Sequence, residues 1–248
     1  MNSRRLVNVA RVMFYGPITL IFFVAFWGLL ALMVALVQIG ILQYVFESMG
    51  INRRYLLSLL LLSLLGSYVN IPIAHLPGGH ERAGEVVEFF GVQYVVPVMV
   101  DSPGTVLAVN VGGAVIPFLL SIYLIIKHDL WGKSLVAVGI VSLLVHLMAK
   151  PVPGVGIAVP ILIPPLITAL VALSLSSWNP APLAYVAGSL GTLIGADLMN
   201  LGKVRGLGAP IASIGGAGKF DGIFLTGIVA VLLTTLVHAN RHWSNRYA

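Results

Sequence analysis

Two aspartates, Asp197 and Asp221, are the residues whose type and position best suit acid–base chemistry. Each falls at the edge of a long apolar stretch that is predicted to cross a membrane, and acids at membrane depth are costly and usually functional. Asp197 lies about one turn before the end of the sixth predicted span, and Asp221 lies in the first turn of the seventh. If these two helices are antiparallel, both carboxyl groups lie at similar depth on the same side of the bilayer.

A pair of carboxyl groups in a region of low dielectric constant favours a specific kind of chemistry. The two cannot both ionise easily, so they share one proton. One ionised and one protonated carboxyl is the state with which an aspartic protease activates water and polarises a peptide carbonyl. The sequence therefore predicts a catalytic pair in a hydrolase that cleaves a membrane-embedded peptide.

Other interpretations of the same two acids stay open. In a proton- or cation-coupled transporter or channel for a small solute, they would bind and release a proton or an ion. In a non-catalytic membrane scaffold, Asp221 would only cap its helix, and Asp197 would bond to Asn200 on the same helix face. These interpretations differ in whether the two carboxyl groups lie close together.

The remaining candidate site residues are polar, small or proline residues within or beside the predicted spans. They are predicted to line a cavity or contact the substrate, although the ordinary use of such polar residues is hydrogen bonding between helices. They are Asn70, Asn110, Gly112, Gly113, His146, Lys150, Pro151, Pro153, Pro164, Asn200, Gly216 and Gly218. Gly191 and Gly195 form a G-x-x-x-G pattern ahead of Asp197, which predicts close packing of another helix.

The sequence predicts no cofactor and no metal. His80 and Glu81 begin like a zinc protease motif, but Gly84 stands where the second histidine is required. The glycines before Lys219 do not form a phosphate loop, because Phe220 follows where serine or threonine is needed. The chain has no cysteine, so thiolate ligands are excluded.

The composition indicates an integral membrane protein. Hydrophobic residues make up 58% of the 248 residues and charged residues 9%, whereas soluble domains carry about 25% charged residues. Uncharged stretches of 35, 26, 25 and 46 residues recur along the chain, and one helical span needs about 20. Because these stretches are continuous rather than alternating, a transmembrane β-barrel is excluded.

The predicted partners follow from the same composition. The net charge of +6 comes from short loops and chain ends, so it indicates contact with lipid headgroups and not with nucleic acid. The predicted partners are the lipid bilayer and a membrane-embedded peptide or small solute, and a homo-oligomer is left open.

The predicted fold is an all-α polytopic membrane protein, with residues 1–248 forming a single integral domain of about seven transmembrane helices. Prolines in the fifth span predict that it is broken or re-entrant. Residues 75–104 are predicted to form an extramembrane loop, with a short β-like segment near 86–110. The spans are predicted at roughly 17–43, 55–71, 105–126, 134–149, 157–176, 181–201 and 219–239.

Four segments of the chain together carry a resemblance to a known family. They are Pro151–Ile157, Ile163–Leu166, Gly195–Leu198 and Gly216–Phe224. In these segments the chain resembles the prokaryotic membrane family called domain of unknown function 1614. The resemblance covers most of the chain. It implies a protein of a prokaryotic plasma membrane and supplies no activity.

The two aspartates carry a second, local resemblance, over roughly residues 187–235. They are similar in arrangement to the G-x-G-D intramembrane aspartyl proteases, which include presenilins, signal peptide peptidases and prepilin peptidases. Here Gly216-Ala217-Gly218 would be the G-x-G, although two residues separate it from Asp221. The P-A-L element of presenilins is missing downstream. This resemblance implies Asp197 and Asp221 as the catalytic pair.

Overall fold

The computed structural model describes residues 27–28, 35, 38–77, 80–89, 92–101, 104–152, 156–204, 211–216 and 222–247. The chain divides into two compact units, residues 1–41 and 42–248. Most of the first predicted span, roughly 17–43, lies outside the described residues. The elements that form the candidate site all belong to the second unit.

Helices make up most of the described chain. Three of them are long and apolar enough to cross a membrane, namely Val111–His128, Trp131–Met148 and Pro180–Val204. Shorter apolar helices occupy Ile163–Leu175 and Gly222–His238. The chain is therefore a helical membrane protein. Helix length and apolar composition identify three spans among the described residues, whereas the sequence predicted about seven. The helices are α1 (38–48), α2 (Leu56–Gly66), α3 (Ile116–His128), α4 (Trp131–Met148), α5 (Ile163–Leu175), α6 (Pro180–Thr192), α7 (Leu201–Val204) and α8 (Gly222–Tyr247).

Short irregular helices extend several of these elements. A π-helical turn precedes α3 at Val111–Val115, and another follows α6 at Leu193–Asp197. Single 3-10 turns lie at Arg53–Tyr55 and Leu198–Asn200. The second π-helical turn and the second 3-10 turn join α6 to α7 in one continuous helical segment.

Strands β1, β4 and β7 form a three-stranded sheet in the order β1-β4-β7. Strand β4 pairs antiparallel with β1 and parallel with β7. Two further antiparallel pairs are formed by β2 with β3 and by β5 with β6. The strands are β1 (Asn70–Leu76), β2 (His80–Phe89), β3 (Val92–Asp101), β4 (Thr105–Asn110), β5 (Lys150–Val152), β6 (Gly156–Ala158) and β7 (Ile211–Ile214).

The strands confirm the predicted β-like segment and correct the limits of three predicted spans. The second span, predicted to 71, ends as a helix at Gly66, and Asn70 already begins β1. Residues 105–110 of the third span form β4, because their β-branched side chains pair with β1. The fifth span is helical only from Ile163, since prolines favour the first turn of a helix over its interior.

Helix α6 is the centre of the bundle, and all of its 13 residues are buried. It packs against α3, α4, α5 and α8. Gly191 on α6 and Gly195 on the π-helical turn that follows it allow α4 to approach closely, because a Cβ on Gly191 would meet the side chain of Val141, and one on Gly195 would overlap the carbonyl oxygen of Ser142. The close-packing role predicted for the G-x-x-x-G pattern is therefore confirmed, with α4 as the partner helix.

The contact at Gly195 predicts a stability effect. We expect Gly195→Ala to lower the free energy of unfolding by about 1–3 kcal/mol, because the added methyl group meets backbone that must shift. Gly202→Ala is the matched control, since a Cβ there meets nothing within 4 Å. The thermal unfolding midpoints of both variants in detergent micelles give the measurement. Equal midpoints for Gly195→Ala and Gly202→Ala would contradict the close contact between α4 and the second π-helical turn.

Candidate functional site

The candidate site forms where the sheet meets the end of the central helix. Strands β4 and β7 run parallel and end at Asn110 and Ile214, so their carboxyl ends lie at one edge of the sheet. Asp197, the last residue of the second π-helical turn, is half-buried there. Its Oδ2 accepts a hydrogen bond from the backbone N–H of Gly215 at 2.7 Å. One predicted catalytic carboxylate is thus held at the end of β7.

Position 215 requires glycine, because a side chain would not fit there. Its φ is +88° and that of Gly216 is +82°, a left-handed conformation that side chains rarely adopt. The carbonyl oxygen of Gly215 also lies where a Cβ on Gly113 would stand. The two backbones are therefore in direct contact, and this contact joins the end of β7 to the first π-helical turn.

A buried amide, Asn110, connects that turn to the sheet. Its side chain is 1% exposed, and its Oδ1 accepts a hydrogen bond from the N–H of Gly113 at 2.8 Å. Its Nδ2 donates to the carbonyl oxygen of Ser67 at 2.7 Å and to Asn70 Oδ1 at 3.0 Å. Ser213 Oγ on β7 donates to the same Asn70 oxygen at 2.6 Å. This network ties all three strands of the sheet to the first π-helical turn.

The network predicts that Asn110 is essential for stability. We expect Asn110→Ala to cost about 3 kcal/mol of unfolding free energy, because it leaves the N–H of Gly113 and the Asn70 oxygen without this partner. Asn52→Ala, which removes an exposed amide that caps a short 3-10 helix, should cost about 1 kcal/mol. Unfolding in detergent, followed by circular dichroism, compares the two. Equal losses would contradict the role given to Asn110.

Both π-helical turns adjoin the site. Such turns are rare and occur frequently at functional sites. Asn200 is fully buried, and its Nδ2 donates to the carbonyl oxygens of Gly195 and Ala196 at 2.9 Å each. The amide group of Asn200 therefore stabilises the turn that carries Asp197.

The structure brings six of the predicted site residues to this junction: Asn70, Asn110, Gly112, Gly113, Asp197 and Gly216. His146 lies on α4, which packs against the π-helical turn at Leu193–Asp197. Lys150 and Pro151 are exposed on β5, and Pro164 is buried in the first turn of α5, outside the hydrogen-bonded network. The predicted site residues Pro153, Gly218 and Asp221 lie outside the described residues.

Two residues of the junction, Ser213 and Gly215, were not among the predicted site residues. The Gly215-Gly216 pair directly after an apolar strand was a usable signal, because such a pair permits a left-handed turn. Ser213 gave no usable signal, since its partner Asn70 is 143 residues away. Within the described part of the chain, no group of three or more His, Cys, Asp or Glu residues could hold a metal ion.

Comparison with known proteins gives one match. The family described as protein of unknown function (DUF1614) matches residues 64–233, which is more than half of the chain. The matched stretch includes the sheet, both π-helical turns and the first residues of α8. No curated protein and no solved structure matches the chain.

Proposed function

The chain belongs to the DUF1614 family, and from the geometry of its junction we propose that it is an intramembrane aspartyl protease-like hydrolase. Its substrate would be a peptide embedded in the bilayer, and its place a prokaryotic plasma membrane. The proposed catalytic pair is Asp197 and Asp221. The observation that carries the proposal is the register of α6 against α8, which would place the two acids at one end of the helix pair.

That register follows from described residues on both helices. A Cβ on Gly188 would lie 3.1 Å from Gly227 Cα, so the two backbones touch at this point. Leu193 and Ile223 belong to one buried apolar cluster. Leu193, in the π-helical turn that extends α6, comes five residues after Gly188, and Ile223 comes four residues before Gly227, so the two helices run antiparallel.

Extending this register gives the proposed depth of the two acids. In the sequence, Asp197 comes four residues after Leu193, and Asp221 comes two residues before Ile223. At about 1.5 Å per residue, the proposed difference in depth is within about one helical turn. If the two carboxyl groups also face each other, they would share one proton, which is what acid–base activation of a water molecule requires.

The surroundings of Asp197 support a catalytic use of its carboxylate. One of its oxygens receives the Gly215 N–H, so its position is set before a substrate arrives, and such preorganisation is how catalytic groups gain efficiency. Close backbone contacts at Gly113 and Gly215 also hold the residue that bonds to Asp197 against the first π-helical turn. In the proposed reaction, one carboxylate takes a proton from water while the other carboxylic acid donates to the peptide carbonyl.

The proposal is tested by identifying new protein termini in host membranes, because such termini can be detected whichever peptide is the substrate. Membranes from cells that produce the wild-type chain are compared with membranes containing Asp197→Asn at equal abundance. We expect internal peptide cuts within apolar segments that occur only with the wild type. The same set of termini in both membranes would contradict the proposal.

A transporter is the second candidate, and a set of buried polar atoms favours it. Several side-chain atoms on α4, α6 and the helical turns that follow α6 are buried without a hydrogen-bond partner among the described residues, and buried polar groups normally have a partner, either protein or water. They include Ser142 Oγ, His146 Nδ1, Thr192 Oγ1 and Asn200 Oδ1. A water-filled path would satisfy them. Proton flux into vesicles that disappears in Asp197→Asn, with no change in protein termini, would favour transport over hydrolysis.

A further inference from the structure

A crevice between α2 and α3 runs along α3 from Ile116, which directly follows the first π-helical turn, to Tyr123. It has a volume of about 550 Å³, and its walls are largely apolar. Tyr55 and Ser58 contribute from the α2 side, and Leu119 and Tyr123 from α3. Lys127, in the last turn of this helix, lies about 18 Å along the helix from Val115, by the rise of an α-helix. The end of the crevice near Lys127 is thus far along α3 from the junction.

The rim of the crevice is basic. Lys127 Nζ donates a hydrogen bond to the carbonyl oxygen of Gly50 and lies 5.4 Å from the ring centroid of Tyr123, which lines the crevice. Arg54 is exposed and directly precedes Tyr55, another lining residue. The described charged side chains at this end of the bundle are four cations, Arg53, Arg54, Lys127 and Lys133, against two acids, Glu47 and Asp129. The rim therefore attracts an anion.

Aromatic side chains place this rim at the membrane surface. Tyr55 is 62% exposed, Tyr123 48% and Trp131 59%. Tyrosine and tryptophan concentrate at the boundary between the hydrocarbon and the headgroups. At this level the apolar crevice suits an acyl chain, and the cations above it suit a negative headgroup. Together they match the two parts of an anionic phospholipid.

We propose that this crevice binds an anionic phospholipid, with one acyl chain between α2 and α3 and its phosphate at Arg54 and Lys127. Basic pockets between membrane helices bind such headgroups, and each lysine or arginine near the surface adds about a fivefold preference. The contacts of Lys127 with Gly50 and Tyr123 hold its charge at the rim before the lipid arrives. This proposal does not depend on the proposed hydrolase activity.

Lipid retention by the full chain in native mass spectrometry tests the proposal. The probes are palmitoyl-oleoyl phosphatidylglycerol and the matching phosphatidylcholine, each added to the chain in detergent micelles. We expect retention of phosphatidylglycerol over phosphatidylcholine, and a roughly 25-fold smaller preference in the double variant Arg54→Gln/Lys127→Gln. Lys203→Gln, an exposed lysine on α7, should keep the wild-type preference. Equal retention of both lipids by the wild type, or an unchanged preference in the double variant, would overturn the proposal.

Two further variants cover the case in which the double variant does not fold. Lys127→Arg keeps the charge and should keep the preference, whereas Leu119→Trp fills the crevice and should lower the retention of both lipids. Glycerophosphoglycerol, which has the headgroup without acyl chains, should not displace the bound lipid at equal concentration. Displacement by this headgroup alone, or full lipid retention by Leu119→Trp, would show that the crevice is not the lipid site.

Discussion

Asp197→Asn and Asp221→Asn are each expected to lower peptide cleavage by about 10²- to 10⁴-fold, the range that general acid–base catalysis contributes. The reason is that an amide can neither take a proton from water nor share one with the other aspartate. Asparagine has nearly the same shape as aspartate, and the oxygen of its amide can still accept the N–H of Gly215. The fold should therefore persist, and the cleavage rate of one identified peptide in micelles gives the measurement.

Asp129→Asn is the matched control for the two aspartate variants. Asp129 follows α3 in a left-handed conformation with φ of 50°, which asparagine adopts as readily as aspartate. We expect wild-type cleavage and a wild-type unfolding midpoint for this control. Cleavage at the wild-type rate by a folded Asp197→Asn or Asp221→Asn chain would contradict the catalytic pair.

Gly113→Ala is expected to have the largest effect on stability, a loss of about 3 kcal/mol or more in unfolding free energy. The added Cβ would overlap the carbonyl oxygen of Gly215. That oxygen cannot yield easily, because the N–H of Gly215 is bonded to Asp197 and its left-handed turn leaves little alternative geometry. The unfolding midpoint in detergent gives the stability effect, and cleavage by the chain that stays folded should also be lost.

Gly139→Ala is the control for this glycine. It lies within α4, where an added Cβ meets nothing within 4 Å. Alanine favours a helix over glycine by about 1 kcal/mol, so this variant should unfold at the wild-type midpoint or above it. If Gly113→Ala and Gly139→Ala unfolded at the same midpoint, this result would contradict the tight contact between the first π-helical turn and Gly215.

The helical part of the fold was predictable because it depends on local composition. The apolar stretch Trp131–Met148 and the small residues Gly191 and Gly195 can each be recognised from a short segment of the sequence. Asp197 was also predictable as a residue of the candidate site, since a charged residue inside an apolar stretch is conspicuous.

The sheet was less predictable because its pairing is not local. The apolar run Thr105–Asn110 suits either a strand or a helix. It forms a strand because it pairs with β1 and β7, which are far away in the sequence. The role of Ser213 depends in the same way on Asn70. The π-helical turn at Leu193–Asp197 was also not predicted, because its residues continue the apolar pattern of an ordinary helix.

The spacing of positions 197 and 221 is the central claim, and cysteine cross-linking measures it most directly. The chain contains no cysteine, so the pair Asp197→Cys/Asp221→Cys adds the only two thiols. A short bifunctional methanethiosulfonate reagent is added in micelles, and intact mass spectrometry separates one bridging reagent from two singly attached reagents. The control pair is Asp197→Cys/Val237→Cys, because Val237 is exposed on α8, about 22 Å along the helix from its first residue, Gly222. The account predicts one bridging reagent for the first pair and two singly attached reagents for the control, whereas single attachments at both cysteines of the first pair would contradict it.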